Sequence, residues 1–196
     1  MKRFIPIIAA ILLPFSAHAQ DAQRQDETIK RIVEASAALE SFSCDFEQVR
    51  EIAILSEADV SKGQMQYRKD GRILWRYTSP EAYQIAFTKD AVVITRDGQT
   101  QNMSLADNPY LGGLRELLLG IMSGGQFAGD GQFEVSVVQY EPEIVVSMTP
   151  VRRQLRRLFK DVSISFSSKD FLVSRVILTD ADGGSTRISF SNQKTN

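Results

Sequence analysis

Hydrophobic residues recur at every second position over much of this chain, which is the period of a β-strand with one buried face. The clearest case is the stretch from Gly71 to Phe87, where two alternating runs flank the turn residues 79–81. The alternation predicts neighbouring antiparallel strands that turn large side chains to one face. These side chains, with two from the preceding strand, are Met65, Tyr67, Ile73, Trp75, Tyr77, Tyr83, Ile85 and Phe87.

Two stretches follow the helical period of about 3.6 residues instead. The first predicts an amphipathic helix over Thr28 to Ser41, with Thr28 as its cap. The second, LGGLRELLLGIM at residues 111–122, predicts a short helix beside glycines, unusually apolar for a connecting segment. Its apolar stripe consists of Leu114, Leu117, Leu118, Ile121 and Met122.

Alternating runs return in the second half of the chain and predict further strands. They cover residues 134–139, 143–149, 160–167, 171–179 and 186–191. Turn residues separate the runs at short intervals, which favours an antiparallel meander over a parallel α/β layout. The pattern therefore predicts a mainly β fold with helices, of the α+β class.

The first residues have the order of a secretory signal: Lys2-Arg3, an apolar run over residues 4–15, and Ala17-His18-Ala19. The apolar run is too short to cross a bilayer. We therefore expect residues 1–19 to be a signal peptide, and residues 20–196 to form a single domain in the periplasm.

The composition narrows the chemistry. The single histidine, His18, lies in the expected signal peptide, which excludes Ser-His-Asp and Cys-His catalysis and histidine-bearing zinc sites. Cys44 is the only cysteine and is expected to be a small core residue. The formal net charge is −1, which disfavours nucleic acid as a partner. We expect a protein that is not an enzyme and holds no metal or cofactor.

The densest cluster of charge is basic and consists of Arg152, Arg153, Arg156 and Arg157, with Lys160 nearby. A solvated loop would account for it. Alternatively, the arginines form a docking patch for an acidic partner or an anionic head group, because basic residues near an anionic surface are attracted to it.

The alternating aromatic strands also have two interpretations. Their side chains could fill an ordinary core. Alternatively, all of them except Tyr83, together with Phe46 from an earlier strand, line a wide apolar cavity whose mouth is covered by the leucine-rich helix. In this second interpretation the leucines occupy the empty cavity, and an apolar guest displaces them.

Several short motifs resemble those of the LolA family, the periplasmic carriers that bring lipoproteins toward the outer membrane of Gram-negative bacteria. ESFSCDFEQ at residues 40–48 is similar to the family's Phe-x-x-x-Phe-x-Gln segment. The order and spacing of further residues are also similar. These are Gly63, Trp75, Pro80, Asp97-Gly98 and the MTP segment at residues 148–150.

The resemblance implies an incomplete antiparallel β-barrel, covered by an N-terminal helix and short lid helices over an apolar cavity. It implies a monomer that takes lipoproteins, or other acylated lipids, from an inner-membrane donor complex to an outer-membrane acceptor. The family's lid-latching arginine precedes a proline; here Lys69-Asp70 stands at that place, so the latch would be Arg68 or Lys69.

Two other functions remain open. The altered latch suggests a carrier of another amphiphile, such as a glycolipid or a polyene-type envelope lipid. A similar half-barrel also serves in stress sensing, so the chain could be a periplasmic sensor or interaction module that docks through the arginine cluster.

Overall fold

The architecture is one open antiparallel sheet of eleven strands, in a computed structural model that describes residues 15–52, 57–128 and 131–195. The strand order is β6-β5-β4-β3-β2-β1-β11-β10-β9-β8-β7, so β6 and β7 are the two edges. The strands are β1 (Ser41–Glu51), β2 (Asp59–Arg68), β3 (Arg72–Ser79), β4 (Tyr83–Phe87), β5 (Ala91–Arg96), β6 (Gln99–Ser104), β7 (Phe133–Tyr140), β8 (Glu143–Pro150), β9 (Phe159–Ser167), β10 (Val173–Asp180) and β11 (Ser185–Thr195). This confirms the expected incomplete antiparallel barrel.

Helices cover one face of this sheet. They are α1 (Phe15–Ala37), α2 (Pro109–Ser123) and α3 (Arg153–Arg156), with a 3₁₀ turn at Gly125–Ala128. The helix α2 connects β6 to β7 and thus lies in the connection between the two sheet edges. It packs against α1 and the 3₁₀ turn. Among the described residues, no helix has both the length and the apolar character to cross a membrane.

The predicted bounds of the first helix are wrong at both ends. The helix α1 runs from Phe15 to Ala37, and the residues up to Ser41, predicted as helical, include the start of β1. In sequence, Phe42 continues the helical stripe of Ile29, Ile32, Ala35 and Leu39. In the structure, Phe42 and Cys44 alternate with half-buried neighbours and are buried on the same face as Phe46. Residues 1–14 of the expected signal peptide lie outside the described residues.

The core lies on the concave face of the sheet, where the alternating side chains of both halves meet. Sheet side chains no more than 2% exposed come from β1, β2, β3 and β5 at one side and from β8 and β9 at the other, and Ile32 of α1 is also fully buried. They include Phe42, Met65, Ile73, Ile144, Val146, Met148, Val162, Ile164 and Phe166. Burial of this apolar surface is the main stabilising term of the fold.

Gly63 allows β1 to place a ring in this core. It pairs with Phe46 across the β1–β2 ladder. A Cβ at Gly63 would clash with the carbonyl oxygen of Arg76 and would lie 2.9 Å from Cε1 of Phe46. The absence of a side chain therefore lets the Phe46 ring lie over β2, where it contacts Trp75 and Tyr77.

Candidate functional site

The helix α2 covers the concave face as a lid, and both of its ends are fixed by local chemistry. At its start, the Asn108 side chain accepts a hydrogen bond from the Leu111 amide at 3.2 Å. At its end, Gly124 has a φ of 74°, the left-handed conformation that glycine adopts without strain. A Cβ on Gly124 would lie 2.8 Å from Cα of Val33, so this end of the lid packs closely on α1.

Beneath the lid lies an apolar cavity of about 30 Å³. For comparison, a dry cavity that binds benzene has a volume of about 150 Å³. The cavity is therefore almost filled by the side chains around it. Its walls are Leu114, Leu117, Leu118, Ile121 and Met122 of α2, Met65 of β2, Ile73 and Trp75 of β3, Val173, Val176 and Leu178 of β10, and Ile188 and Phe190 of β11.

All five side chains of the predicted lid stripe line this cavity. Leu117, Ile121 and Met122 are buried, and Leu114 and Leu118 are partly buried. The helical period places them on one face of α2, and that face is turned to the sheet. The structure thus brings the stripe together where the hypothesis of a covered cavity requires it.

Of the eight residues predicted to line the cavity, three do so in this closed arrangement: Met65, Ile73 and Trp75. The other five pack around these three in the core. Phe46 lies 5.1 Å from Trp75 between ring centroids, and Ile85 pairs with Trp75 across the β3–β4 ladder. The remaining buried residues are Tyr67, Tyr77 and Phe87.

The opposite wall of the cavity was not found from the sequence. It comes from β10 and β11, through Val173, Val176, Leu178, Ile188 and Phe190. Alternation marks the runs 171–179 and 186–191 as strands, but their position depends on the β1–β11 ladder, which pairs residues far apart in sequence. Local patterns carry no signal for such a pairing.

Trp75 is the one lining residue whose side chain carries an N–H or O–H group. The indole is 6% exposed, and its ring contacts Phe46 and, at 6.3 Å between centroids, Phe190. Its Nε1 is buried and has no hydrogen-bond partner within the described parts of the chain. The other lining side chains are aliphatic, thioether or phenyl groups, so the cavity favours hydrocarbon.

A polar contact joins the lid to the sheet. Nε of Arg115, in α2, donates a hydrogen bond at 2.7 Å to the carbonyl oxygen of Thr88, in the β4–β5 connection. The Arg115 side chain is 12% exposed and also pairs with Glu116 at 2.8 Å. Bonds that involve a charged group are stronger than those between neutral groups. This contact ties α2 to the sheet, and sequence reasoning missed it.

The residues predicted as a latch lie in and beside the β2–β3 turn, where a Cβ at Gly71 would lie 3.4 Å from Nη2 of Arg115. Arg68 lies 3.7 Å from Asp70, and Lys69 donates to Glu40 at 2.5 Å. These pairs join the turn to itself and to the segment before β1. Any latching role of Arg68 or Lys69 therefore stays a prediction, whereas Arg115 contacts the sheet from the lid itself.

The arginine cluster is exposed beside β8 and β9, the strands that α3 contacts. Arg152, Arg153, Arg156 and Arg157 lie in and beside α3, and the ion pairs found among the described residues all involve other basic side chains. Arg152 and Arg157 line a cleft of about 420 Å³ that also contacts Leu117 of the lid. Since Leu117 also lines the cavity, the basic cleft and the apolar cavity adjoin.

Two ionisable side chains of the core are held neutral. Burial raises the pKa of the Cys44 thiol to about 12. Burial, followed by the nearby Tyr83, raises the pKa of the Tyr77 hydroxyl well above its usual range, although Tyr77 also donates a hydrogen bond to Gln48 at 3.0 Å. Neither group is therefore available as an anion at physiological pH.

Comparison with solved structures finds matches that cover most of the chain. A LolA superfamily protein from Nitrosomonas europaea matches with a TM-score of 0.46 and 13% identity, covering 88% of this chain and 94% of that one. Lipoprotein LppX from Mycobacterium tuberculosis matches with a TM-score of 0.48 and 11% identity, covering 91% and 96%. MucB, in the Pseudomonas aeruginosa MucA/MucB complex, matches with a TM-score of 0.47 and 16% identity.

The MucB match covers 87% of this chain but only 56% of the MucB chain. No curated protein matches the sequence. A family model does match: that of the outer membrane lipoprotein carrier protein LolA, over residues 37–196. The match includes every strand of the sheet and the lid helix. The chain therefore belongs to the LolA family.

Proposed function

We propose that this protein is a periplasmic carrier that shelters the acyl chains of lipoproteins beneath α2 and delivers them toward the outer membrane. The observation that carries the proposal is the apolar lid, whose five stripe residues fill a cavity with apolar walls. Family membership supports the same role. The role is binding and transfer rather than catalysis.

The closed cavity has no room for an acyl chain, so uptake requires α2 to move away from the sheet. Sheltering a chain of about fifteen CH2 groups contributes on the order of 12 kcal/mol, at about 0.8 kcal/mol per group. Moving the lid exposes the stripe and the cavity walls, which offsets part of this gain. Because lid leucines and cargo cover the same walls in turn, uptake and release are nearly balanced.

The Arg115–Thr88 hydrogen bond belongs to the closed state only. Opening breaks it, and reclosing restores it. It thus adds to the free energy that the cargo must offset, and it favours reclosure once the cargo has left. In this proposal, Arg115 takes the part that the family resemblance assigns to Arg68 or Lys69.

The exposed arginines supply a docking surface for the donor and acceptor sides of the transfer. Each basic residue near an anionic surface contributes about 1 kcal/mol of attraction. Their cleft adjoins the cavity through Leu117, so a docked membrane or acidic partner would lie close to the lid. Replacement of all four arginines by glutamine should abolish binding to anionic vesicles and leave binding to neutral vesicles unchanged.

Location in the periplasm depends on residues 1–19 as a cleavable signal peptide. Fractionation of the native host, with mass spectrometry of the amino terminus, tests this part separately. A mature protein that begins at Gln20 in the periplasmic fraction is the expected result. Retention of Lys2 and Arg3 in a cytoplasmic protein would contradict it.

The central test is whether protein purified from its own host carries an acylated molecule. Native mass spectrometry should show a bound acyl lipid or lipoprotein on the unmodified protein. Leu118→Asp places a charge in the cavity from α2, and Trp75→Asp places one there from β3 of the sheet. Both variants should lose the cargo while export continues. Val138→Asp, at a side chain 47% exposed on β7, is the matched control.

The same experiment separates the alternatives. A bound glycolipid or other envelope lipid would keep the carrier and change its cargo. Co-purification of a stoichiometric protein partner with no lipid would favour an interaction module. Normal loading of both charged cavity variants would contradict a cargo site beneath α2.

A further inference from the structure

One polar group stands out among the side chains that line the cavity described above. Thirteen side chains line it, and only Trp75 has a hydrogen-bond donor. The donor, indole Nε1–H, is buried and has no partner within the described residues. A buried tryptophan N–H is usually hydrogen-bonded, because an unmade bond costs free energy.

Neither packing nor a water molecule accounts for an indole at this position. The contacts of the ring with Phe46 and Phe190 are apolar and would be available to a phenyl side chain as well. A water in a buried site needs two to four polar partners. The lining side chains offer only one, so water would be a poor partner there.

We propose that Trp75 Nε1–H donates a hydrogen bond to the ester carbonyl oxygen of an acylated cargo, so that the cavity recognises ester-linked acyl chains and not hydrocarbon alone. This inference rests on the proposed function and adds the chemical class of the linkage. The carbonyl is the polar group nearest to the hydrocarbon of an acyl chain. It would therefore enter the cavity with the chain.

The chemistry of the walls favours an ester over related linkages. An ester carries acceptors and no donor, so one indole N–H satisfies its carbonyl. An amide would bring an N–H of its own, and the lining side chains carry no oxygen to accept it. A free fatty acid would bury a carboxylate without a cation, which is costly. An ether offers a weaker acceptor and no carbonyl.

The indole is fixed in place before cargo arrives. Trp75 lies in the middle of β3 and pairs with Met65 on one side and Ile85 on the other. Phe46 packs on its ring from β1 at 5.1 Å, where Gly63 allows the close approach. A donor held by two ladders and an aromatic contact loses little conformational freedom on binding.

The experiment uses the single tryptophan of the chain as its own probe. One tryptophan gives one indole cross-peak in a ¹H–¹⁵N correlation spectrum of the full-length mature protein. The protein is titrated with monopalmitoylglycerol and with hexadecyl glyceryl ether, which differ only in the carbonyl. We expect the ester to move the indole proton downfield and the ether to leave it near its free position.

Affinity gives a second readout. The unmodified protein should bind the ester about three- to tenfold more tightly than the ether, the range typical of one neutral hydrogen bond. Trp75→Phe removes the donor and should bind both lipids equally. Phe190→Leu, which alters the same cavity without removing a donor, is the control and should keep the preference for the ester.

The outcomes separate the two proposals. If both lipids bind with equal affinity and the same indole shift, the role of Trp75 is overturned while the carrier function stands. The same holds if Trp75→Phe keeps the preference. If neither lipid binds, the proposed function fails, and the inference about the ester fails with it.

Discussion

The two sides of the concave face are built from similar residues but filled to different degrees. On β8 and β9, Val146, Val162 and Ile164 are 0% exposed, and Phe166 meets Phe127 edge to face at 5.6 Å. Beneath α2, a cavity remains between Trp75 and the β10–β11 wall, and Leu118 is only partly buried. The first region stabilises the fold, whereas in the proposed function the second holds contacts that the cargo replaces. Stability and binding should therefore respond to different substitutions.

The largest effect is expected in the filled region. Phe166→Ala removes a ring that is 1% exposed and should lower the free energy of unfolding by about 3–5 kcal/mol. Acyl-lipid affinity, measured below the new melting temperature, should stay within about threefold, because Phe166 does not line the cavity. Urea denaturation gives the free energy of unfolding, and a lipid titration gives the affinity. A large loss of affinity would show that the filled region also contributes to binding.

Shortening one side chain of the lid, unlike the loss of Phe166, should change the affinity for an acyl lipid as well as the stability. Leu118→Ala removes part of the side chain that fills the cavity and should cost about 2 kcal/mol of stability, at the low end for buried leucine. Affinity for an acyl lipid should rise, because fewer closed-state contacts must be broken before binding. Weaker binding by a folded Leu118→Ala protein would show that the leucine holds cargo rather than substituting for it.

A smaller effect should follow from the polar contact of the lid. Arg115→Gln removes the hydrogen bond to Thr88 and should destabilise the closed position by about 1.4 kcal/mol, a tenfold change in the open population. Hydrogen exchange of the α2 amides should accelerate by the same factor. Arg72→Gln, which breaks an exposed pair with Asp70, is the control and should leave α2 exchange unchanged.

Cys44 provides the smallest and most local test, since it is the only thiol of the chain. Its pKa is raised by burial from about 9 to about 12, so the thiol should resist alkylation at neutral pH. Its contribution to stability is complete below about pH 9 and is lost as the pH rises toward about 12, because the unfolded thiol ionises first.

Urea denaturation of the unmodified protein and of Cys44→Ala over this range isolates the contribution of the thiol. At neutral pH, alkylation faster than global unfolding would show that the core around Cys44 and its ladder partner Met65 opens locally. If alkylation never exceeds the rate of global unfolding, even with lipid present, the core around Cys44 is as rigid as the filled region on β8 and β9.

The sequence alone predicts the elements in which apolar side chains recur with a single period. The leucine stripe predicted α2 over 111–122, close to the observed Pro109–Ser123, and alternation predicted β3 and β4 around Trp75. It failed where one residue fits two periods, as Phe42 does at the end of the first predicted helix. The polar edge strand β6 has almost no alternation, so only the turn before it was visible.

The candidate site was predictable on one side only. Trp75 and the lid stripe were identified because their neighbours in sequence are also their neighbours in the site. The far wall depends on β11 pairing with β1, and the bond from Arg115 to Thr88 joins residues far apart in sequence, for which no local pattern carries a signal. The unpartnered state of Nε1 depends on every surrounding side chain, so no local pattern could reveal it.

The position of α2 between β6 and β7 has a consequence for the shape of any guest. Because the two ends of α2 are connected to the two edge strands of the sheet, the helix can move away from the sheet but cannot leave the cavity fully uncovered. The four residues 105–108 that join it to β6 could extend by no more than about 14 Å. A guest must then thread beneath the span, slender tail first, while any bulky end stays outside.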